Sequence, residues 1–199
     1  MTGNIVLNTF SVLLLTVIVA YSLSASDPRN RRHRLFALLV FATQAMLALD
    51  LLARLDGLSR PFYPAFNRIG NFLLFALEPT LSSIWVAYVS CQIRNGERMG
   101  AAGRGVIIAL NLVNLLLVSL TQFTGWYYTI DAANIYHRGP LYPLSHLLTL
   151  GLLTWSYVLA LRYRRNIDAK VFYSFLFFPI PPLIGVVLQT AVYGIPFSL

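Results

Sequence analysis

Asp50 and Arg54 stand four residues apart, Glu78 directly precedes Pro79, and His146 sits about one and a half turns inside another apolar stretch. An ionisable side chain within an apolar span costs several kcal/mol in lipid unless it finds a partner, so these positions mark candidate sites. Spacing of i,i+4 places Asp50 and Arg54 on one helix face, where they can neutralise each other or reach to the interface as a self-contained pair. Glu78 reads as a carboxylate for a cation or donor, or as a protonated carboxyl bonded across helices. His146 reads as a ligand group or as a satisfied core histidine. Gln122 and Gln189 add polar groups near the ends of two further runs. No catalytic residue is indicated: there is no serine elbow, His-Glu-x-x-His, phosphate loop or carboxylate pair at catalytic spacing. No histidine pair has metal-ligand spacing, and the lone Cys91 adds no thiolate site, so neither a metal nor a cofactor is expected.

The elements that must carry these residues are apolar runs. Of 199 residues, 57% are hydrophobic and 11% charged, with mean hydropathy +0.67. Soluble domains carry about 25% charged residues, so a soluble enzyme and a disordered chain are excluded. Six runs stand out, at 5–23, 35–55, 69–92, 105–123, 141–161 and 171–197, each near the roughly 20 residues that span a bilayer as a helix. The expected fold is an all-α integral membrane protein with six spans, forming one domain over 1–199. Of the 15 Lys and Arg residues, 11 fall in the three loops after runs one, three and five. The positive-inside rule therefore puts those loops in the cytoplasm and the N-terminus outside. The net charge of +8 is thus a topology signal, with attraction to membrane lipids secondary and nucleic acid not a partner.

The two outer loops, 56–68 and 124–140, are rich in aromatics. Trp126, Tyr127, Tyr128 and Tyr136 form either an ordinary interfacial belt or a lid over a site. Asp131, Asn134, His137 and Arg138 among those rings favour the lid. Except for Glu78, the intramembrane polar groups fall in the outer half, which argues for a pocket opening outward rather than a path through.

Leu7–Asn8 with Leu13–Leu14 matches Leu110–Asn111 with Leu116–Leu117, and Phe72–Leu73, Phe75 and Pro79 match Phe175–Leu176, Phe178 and Pro182 at the same offset. Three helices repeated across a membrane are inverted, and proline-broken third and sixth helices are one layout of a midplane site. Pro79, Pro179, Pro181 and Pro182 are the candidate hinge positions.

The run Phe123–Tyr142, FTGWYYTIDAANIYHRGPLY, and Phe177–Gly185, FFPIPPLIG, resemble the N-terminal multi-helix sensor region of bacterial membrane diguanylate cyclases (GGDEF class) and related histidine kinases. Asn71–Phe72–Leu73 with Pro79, Trp85, Tyr88 and Gln92, and Asp50 with Arg54, fit the same resemblance. It implies a sensor domain in the bacterial inner membrane, and a seventh helix and cytoplasmic output domain beyond residue 199. It also implies homodimers, because such output domains work in pairs. The chain itself is then not an enzyme.

The expected function is reception of a small-molecule or lipid-like ligand from the outer side, in a pocket under the loop 124–140. Arg138 and Arg54 would meet an anionic headgroup, Asp50 and Glu78 a cation or donor, and Trp126, Tyr127, Tyr128 and Tyr136 would supply the walls. Two bundle packings, distinguished by the ligand, would carry the signal. The alternative is a small secondary transporter built from the inverted repeat, using Glu78 at the midplane. A third reading is a structural subunit that packs on a larger complex.

Overall fold

The computed structural model describes residues 13, 14, 16–18, 20, 30–53, 55, 57, 61–180 and 184. Four helical stretches in it are long and apolar enough to cross a membrane: α1 (Arg31–Ala53), α2 (Tyr63–Ile93), α3 (Ala101–Thr124), and α4 (Tyr142–Ser145) continued by α5 (Leu147–Arg162). A 3-10 turn (Arg164–Asn166) leads to α6 (Ala169–Phe177). Leu112 (61% exposed), Leu116 (60%) and Phe123 (89%) line an outward face of α3. Such a face is intolerable in water and natural against lipid tails. The chain is a membrane protein by these features.

The expected runs recover these spans with shifted ends. α2 begins at Tyr63 rather than residue 69, because Pro64 in its first turn needs no N–H partner and favours a helix start. It is 31 residues long, about 46 Å, and so exceeds a bilayer core of about 30 Å. The fifth run is divided at His146 into α4 and α5. The first run is described as helical only at residues 13, 14, 16–18 and 20, and most of the sixth lies outside the described residues, as do Arg54, Gln189, Pro181 and Pro182.

Two expectations are corrected. The fold is not purely α-helical, since β1 (Tyr128–Ile130) and β2 (Tyr136–Arg138) pair antiparallel, with Tyr128 opposite Arg138 and Ile130 opposite Tyr136. Asp131 accepts from the Asn134 N–H to close the turn, Asn134 takes a left-handed φ of 62°, and Asp131 Oδ1 caps the Ile135 N–H at 2.8 Å. This is a turn followed by a left-handed residue, for which Asp and Asn are suited. The second correction concerns Pro79: α2 runs through it unbroken. A proline deprives the carbonyl four residues earlier of its donor. Here that carbonyl belongs to Phe75, and Asn114 Nδ2 of α3 supplies the missing donor at 2.9 Å.

α2 is the hub, packed on α1, α3 and α5. Gly70 lets α1 approach closely: a Cβ there would stand 2.8 Å from the Ala53 nitrogen and 3.1 Å from the Leu49 carbonyl oxygen. Contacts Phe75–Tyr142, Glu78–His146 and Trp85–Ser156 advance together, so α2 and α5 run parallel. Two apolar clusters flank the Pro79 level. One holds Leu39, Trp85, Val89, Ile93, Leu153, Ala160 and Phe175 at the arginine-rich end. The other gathers Phe75, Val118, Tyr127, Tyr128 and Tyr142 at the hairpin end.

Candidate functional site

The hairpin lies against the bundle by one side: Tyr127, Tyr128 and Asn134 are buried, whereas Thr129, Asp131, Ile135 and His137 are exposed. Tyr142, where the chain re-enters a helix, packs edge-on against Phe75 (6.1 Å between centroids), level with Asn114. Asn114 lies about 15 Å along the axis from the end of α3 at Thr124. The segment between Gly125 and Leu141 therefore runs back along the outer part of the bundle, with its buried tyrosines on Phe75 and Val118. Its ends are pinned together: the Gly139 N–H donates to Tyr127 O and the Leu141 N–H to Trp126 O, both at 2.8 Å. Gly139 is required there, because a Cβ would collide with the carbonyl oxygens of Gly125 and Trp126.

Asparagines fix the hairpin tip. Asn134 is buried, donates from Nδ2 to the Leu55 carbonyl (2.8 Å), and accepts at Oδ1 from Asn67 Nδ2 (3.0 Å). The Asn134 carbonyl also accepts from the Gly57 N–H at 2.9 Å. Asn71 Nδ2 donates onward to Asn67 Oδ1 at 2.7 Å. The two aromatic loops are thus tied to each other and to α2.

Tyrosines make the inner wall. Tyr128 stacks on Phe75 (5.1 Å) and on Tyr136 (5.7 Å), and its hydroxyl accepts from Gln122 Nε2 at 2.8 Å. Burial pushes the Tyr127 and Tyr128 hydroxyls above the usual tyrosine range, with the Gln122 bond opposing this in part for Tyr128. On the exposed hairpin face, the hydrogen bond from His137 (2.9 Å) holds the Asp131 carboxyl below its ordinary range, helped by the Ile135 N–H.

At the middle of α2, Glu78 Oε1 lies 2.8 Å from His146 Nδ1. The His146 side chain is 8% exposed and that of Glu78 21%. The α4–α5 offset presents the imidazole: Pro143 opens the turn, Ser145 Oγ donates to Tyr142 O (2.6 Å), and α5 starts from the His146 carbonyl. The Tyr142 ring meets His146 edge-on at 5.2 Å, and the Arg138 guanidinium lies over Tyr142 at 4.1 Å. Among the described residues, His146 Nε2 and Thr149 Oγ1 are buried without a hydrogen-bond partner. No group of three His, Cys, Asp or Glu side chains comes together among those residues.

Of the expected site residues, Glu78, His146, Arg138, Tyr127, Tyr128, Tyr136 and Gln122 fall within one connected region, and Trp126 packs at its edge. Asp50 does not share the level of Glu78. It lies in the turn of α1 beside Gly70, about 12 Å along α2 from Glu78. Pro179 is buried and follows the end of α6 at Phe177. Sequence reasoning passed over Asn67, Asn111, Asn114 and Thr149. Asn67 with Asn71, and Asn111 with Asn114, carry i,i+4 and i,i+3 spacing in apolar helices, a signal of interhelical hydrogen bonding. Asn111 uses it to accept from Thr80 Oγ1 (2.8 Å) and donate to Ser83 Oγ (2.7 Å).

No protein-family model, curated protein or solved structure matches the chain.

Proposed function

We propose that the chain is a membrane-embedded signal-receiving module whose receiving site is the Glu78–His146 pair beneath the hairpin. The observation that carries this reading is the asymmetry of the interior about Pro79. Towards the hairpin, the interior holds a carboxylate–imidazole pair, tyrosine hydroxyls and an asparagine network. Towards the arginine-rich end, Trp85, Val89, Ile93, Leu153, Ala160 and Phe175 close it with apolar packing. A site open to one side suits reception. A transport path needs polar lining on both sides of the site.

Transmission has a physical route in this reading. α2 and α5 meet at Glu78–His146 and again two turns later, where Trp85 Nε1 donates to Ser156 Oγ at 3.1 Å. Trp85 also stacks on Phe178 (4.1 Å) and meets Phe175 edge-on (5.6 Å), so a shift of α2 against α5 reaches α6 just before Pro179. The resemblance to diguanylate cyclase and histidine kinase sensor regions gives this route a destination, a cytoplasmic output domain working as a homodimer. The arginine-rich end then faces the cytoplasm of a bacterial cell, as the positive-inside rule requires.

The second reading, a small proton- or cation-coupled transporter, draws on the depth of the Glu78–His146 pair at mid-helix. Proteoliposomes loaded with a pH-sensitive dye separate the two. Under an imposed pH gradient, a receiving module holds the gradient as empty vesicles do. A flux that Glu78→Gln abolishes would establish the transporter and overturn the receiving reading.

A further inference from the structure

We infer that His146 Nε2 and Thr149 Oγ1 form a binding site for the carbonyl oxygen of an uncharged, membrane-soluble molecule; this rests on the receiving reading and names its ligand class. The argument begins with the proton count of the pair. In low-dielectric surroundings the pair is favoured with no net charge, since an unbalanced charge there is expensive. Two arrangements satisfy this with a proton on the contact itself: carboxylate with imidazolium, or carboxylic acid donating to neutral imidazole. A third, with the acid proton on Oε2, would leave that hydroxyl without an acceptor among the described residues and is disfavoured. The Glu78–His146 contact uses Nδ1, so one proton lies along that hydrogen bond in either arrangement. The remaining proton then sits on Nε2 in both. Nε2 is therefore an N–H donor, and it is buried with no partner among the described residues.

Thr149 is the second observation. A hydroxyl in a helix ordinarily donates to the carbonyl four residues back. Thr43, Ser83, Thr121 and Thr124 all do so here, at 2.8 to 3.0 Å. Thr149, 7% exposed, does not. His146 and Thr149 are three residues apart on one helical turn, closed by the Leu150 N–H to His146 O bond, so their side chains are neighbours. Two donors side by side suit one acceptor with two lone pairs, which is a carbonyl oxygen. The depth of the site excludes a charged ligand on cost, and hydrocarbon tails offer no acceptor. Arg138 bears on the site through the Tyr142 ring, which separates it from the imidazole.

The chain contains three histidines, so imidazole nitrogen NMR on the 15N-histidine-labelled protein in lipid nanodiscs is tractable. The probes are 2-undecanone, a redox-inert ketone, and undecane, its counterpart without the carbonyl. The His146 resonance is identified by its loss in His146→Gln, or by its displacement in Glu78→Gln should the first variant not fold. The expected result is a protonated Nε2 whose resonance shifts saturably with the ketone and not with undecane, while His33 and His137 stay in place. Thr149→Val should raise the half-saturating ketone fraction about three- to tenfold, the worth of one hydrogen bond. Equal shifts with undecane, no shift with the ketone, or an Nε2 held only by a water that the ketone does not displace would each overturn the site. If the ketone binds yet no change reaches Trp85, the site stands and the receiving reading fails. A response at Trp85 without a shift at His146 has the opposite meaning.

Discussion

α2 passes through two different interiors. From Asn67 to Glu78 its inward positions are asparagine, phenylalanine and a carboxylate, each engaged by the hairpin, by α3 or by His146. From Trp85 to Ile93 they are a tryptophan, aliphatics, Ser90 and Cys91, with Trp85, Val89 and Ile93 packed against α1, α5 and α6. The first half specifies its neighbours through directional bonds, which hold an irregular hairpin against the bundle. The second specifies them chiefly through shape, with the Trp85 Nε1 to Ser156 Oγ bond as a directional contact to α5. The two buried side-chain atoms without partners among the described residues, His146 Nε2 and Thr149 Oγ1, both lie between these halves. A polar interior can be left incomplete at one point and so become selective for a ligand, whereas an apolar one offers nothing to complete.

The largest effect should come from the shape-specified half. Trp85→Ala removes the rings' stacking partner and leaves Ser156 Oγ without its donor, and should cost about 3 kcal/mol in detergent unfolding. The hairpin should keep its amide protection in the surviving folded fraction. Next is Gly139→Ala, which forces the hairpin ends apart. A loss of about 2 kcal/mol is expected, with fast hydrogen exchange confined to residues 125–141. Asn114→Leu strands the Phe75 carbonyl freed by Pro79 and should cost about 1 kcal/mol, the scale of an interhelical hydrogen bond in a membrane. If Asn114→Leu proved costlier than Trp85→Ala, the division into directional and shape-specified halves would be wrong.

The smallest effect concerns pH. The folded Asp131 carboxyl is held below its ordinary range, chiefly by His137. Its contribution to hairpin stability is therefore complete above the ordinary carboxylate range and is lost as pH falls through the lowered value. Exchange of the Ile135 amide should quicken in acid, and Asp131→Asn should flatten that dependence. An unchanged acid profile in Asp131→Asn would assign the effect to another group.

Much of this arrangement is legible in the sequence, for identifiable reasons. Length and apolarity fix the spans, because lipid leaves the backbone no alternative to helix. Glu78 and His146 stand out because ionisable groups in apolar runs demand partners, and Arg138 because it lies among the aromatics of the outer loop. That Glu78 meets His146 rather than Asp50 is a matter of helix order and depth, which single-chain spacing does not encode. Pro79 reads as a break from the covalent chemistry of proline alone. Only the packed bundle brings Asn114 to the freed carbonyl and keeps the helix whole. The hairpin escaped notice because its three-residue strands are too short for an alternating pattern to declare itself. Thr149 escaped because its distinction is a bond it does not make.

The most direct test of reception in one half and transmission in the other uses Trp85 as reporter. Trp126→Phe with Trp155→Phe leaves Trp85 as the single tryptophan. In nanodiscs titrated with 2-undecanone, its emission should change saturably, in step with the His146 Nε2 shift, and should stay constant with undecane. Emission from Trp85 that does not move while the ketone occupies His146 would contradict the account, because the two halves would then be neighbours without communication.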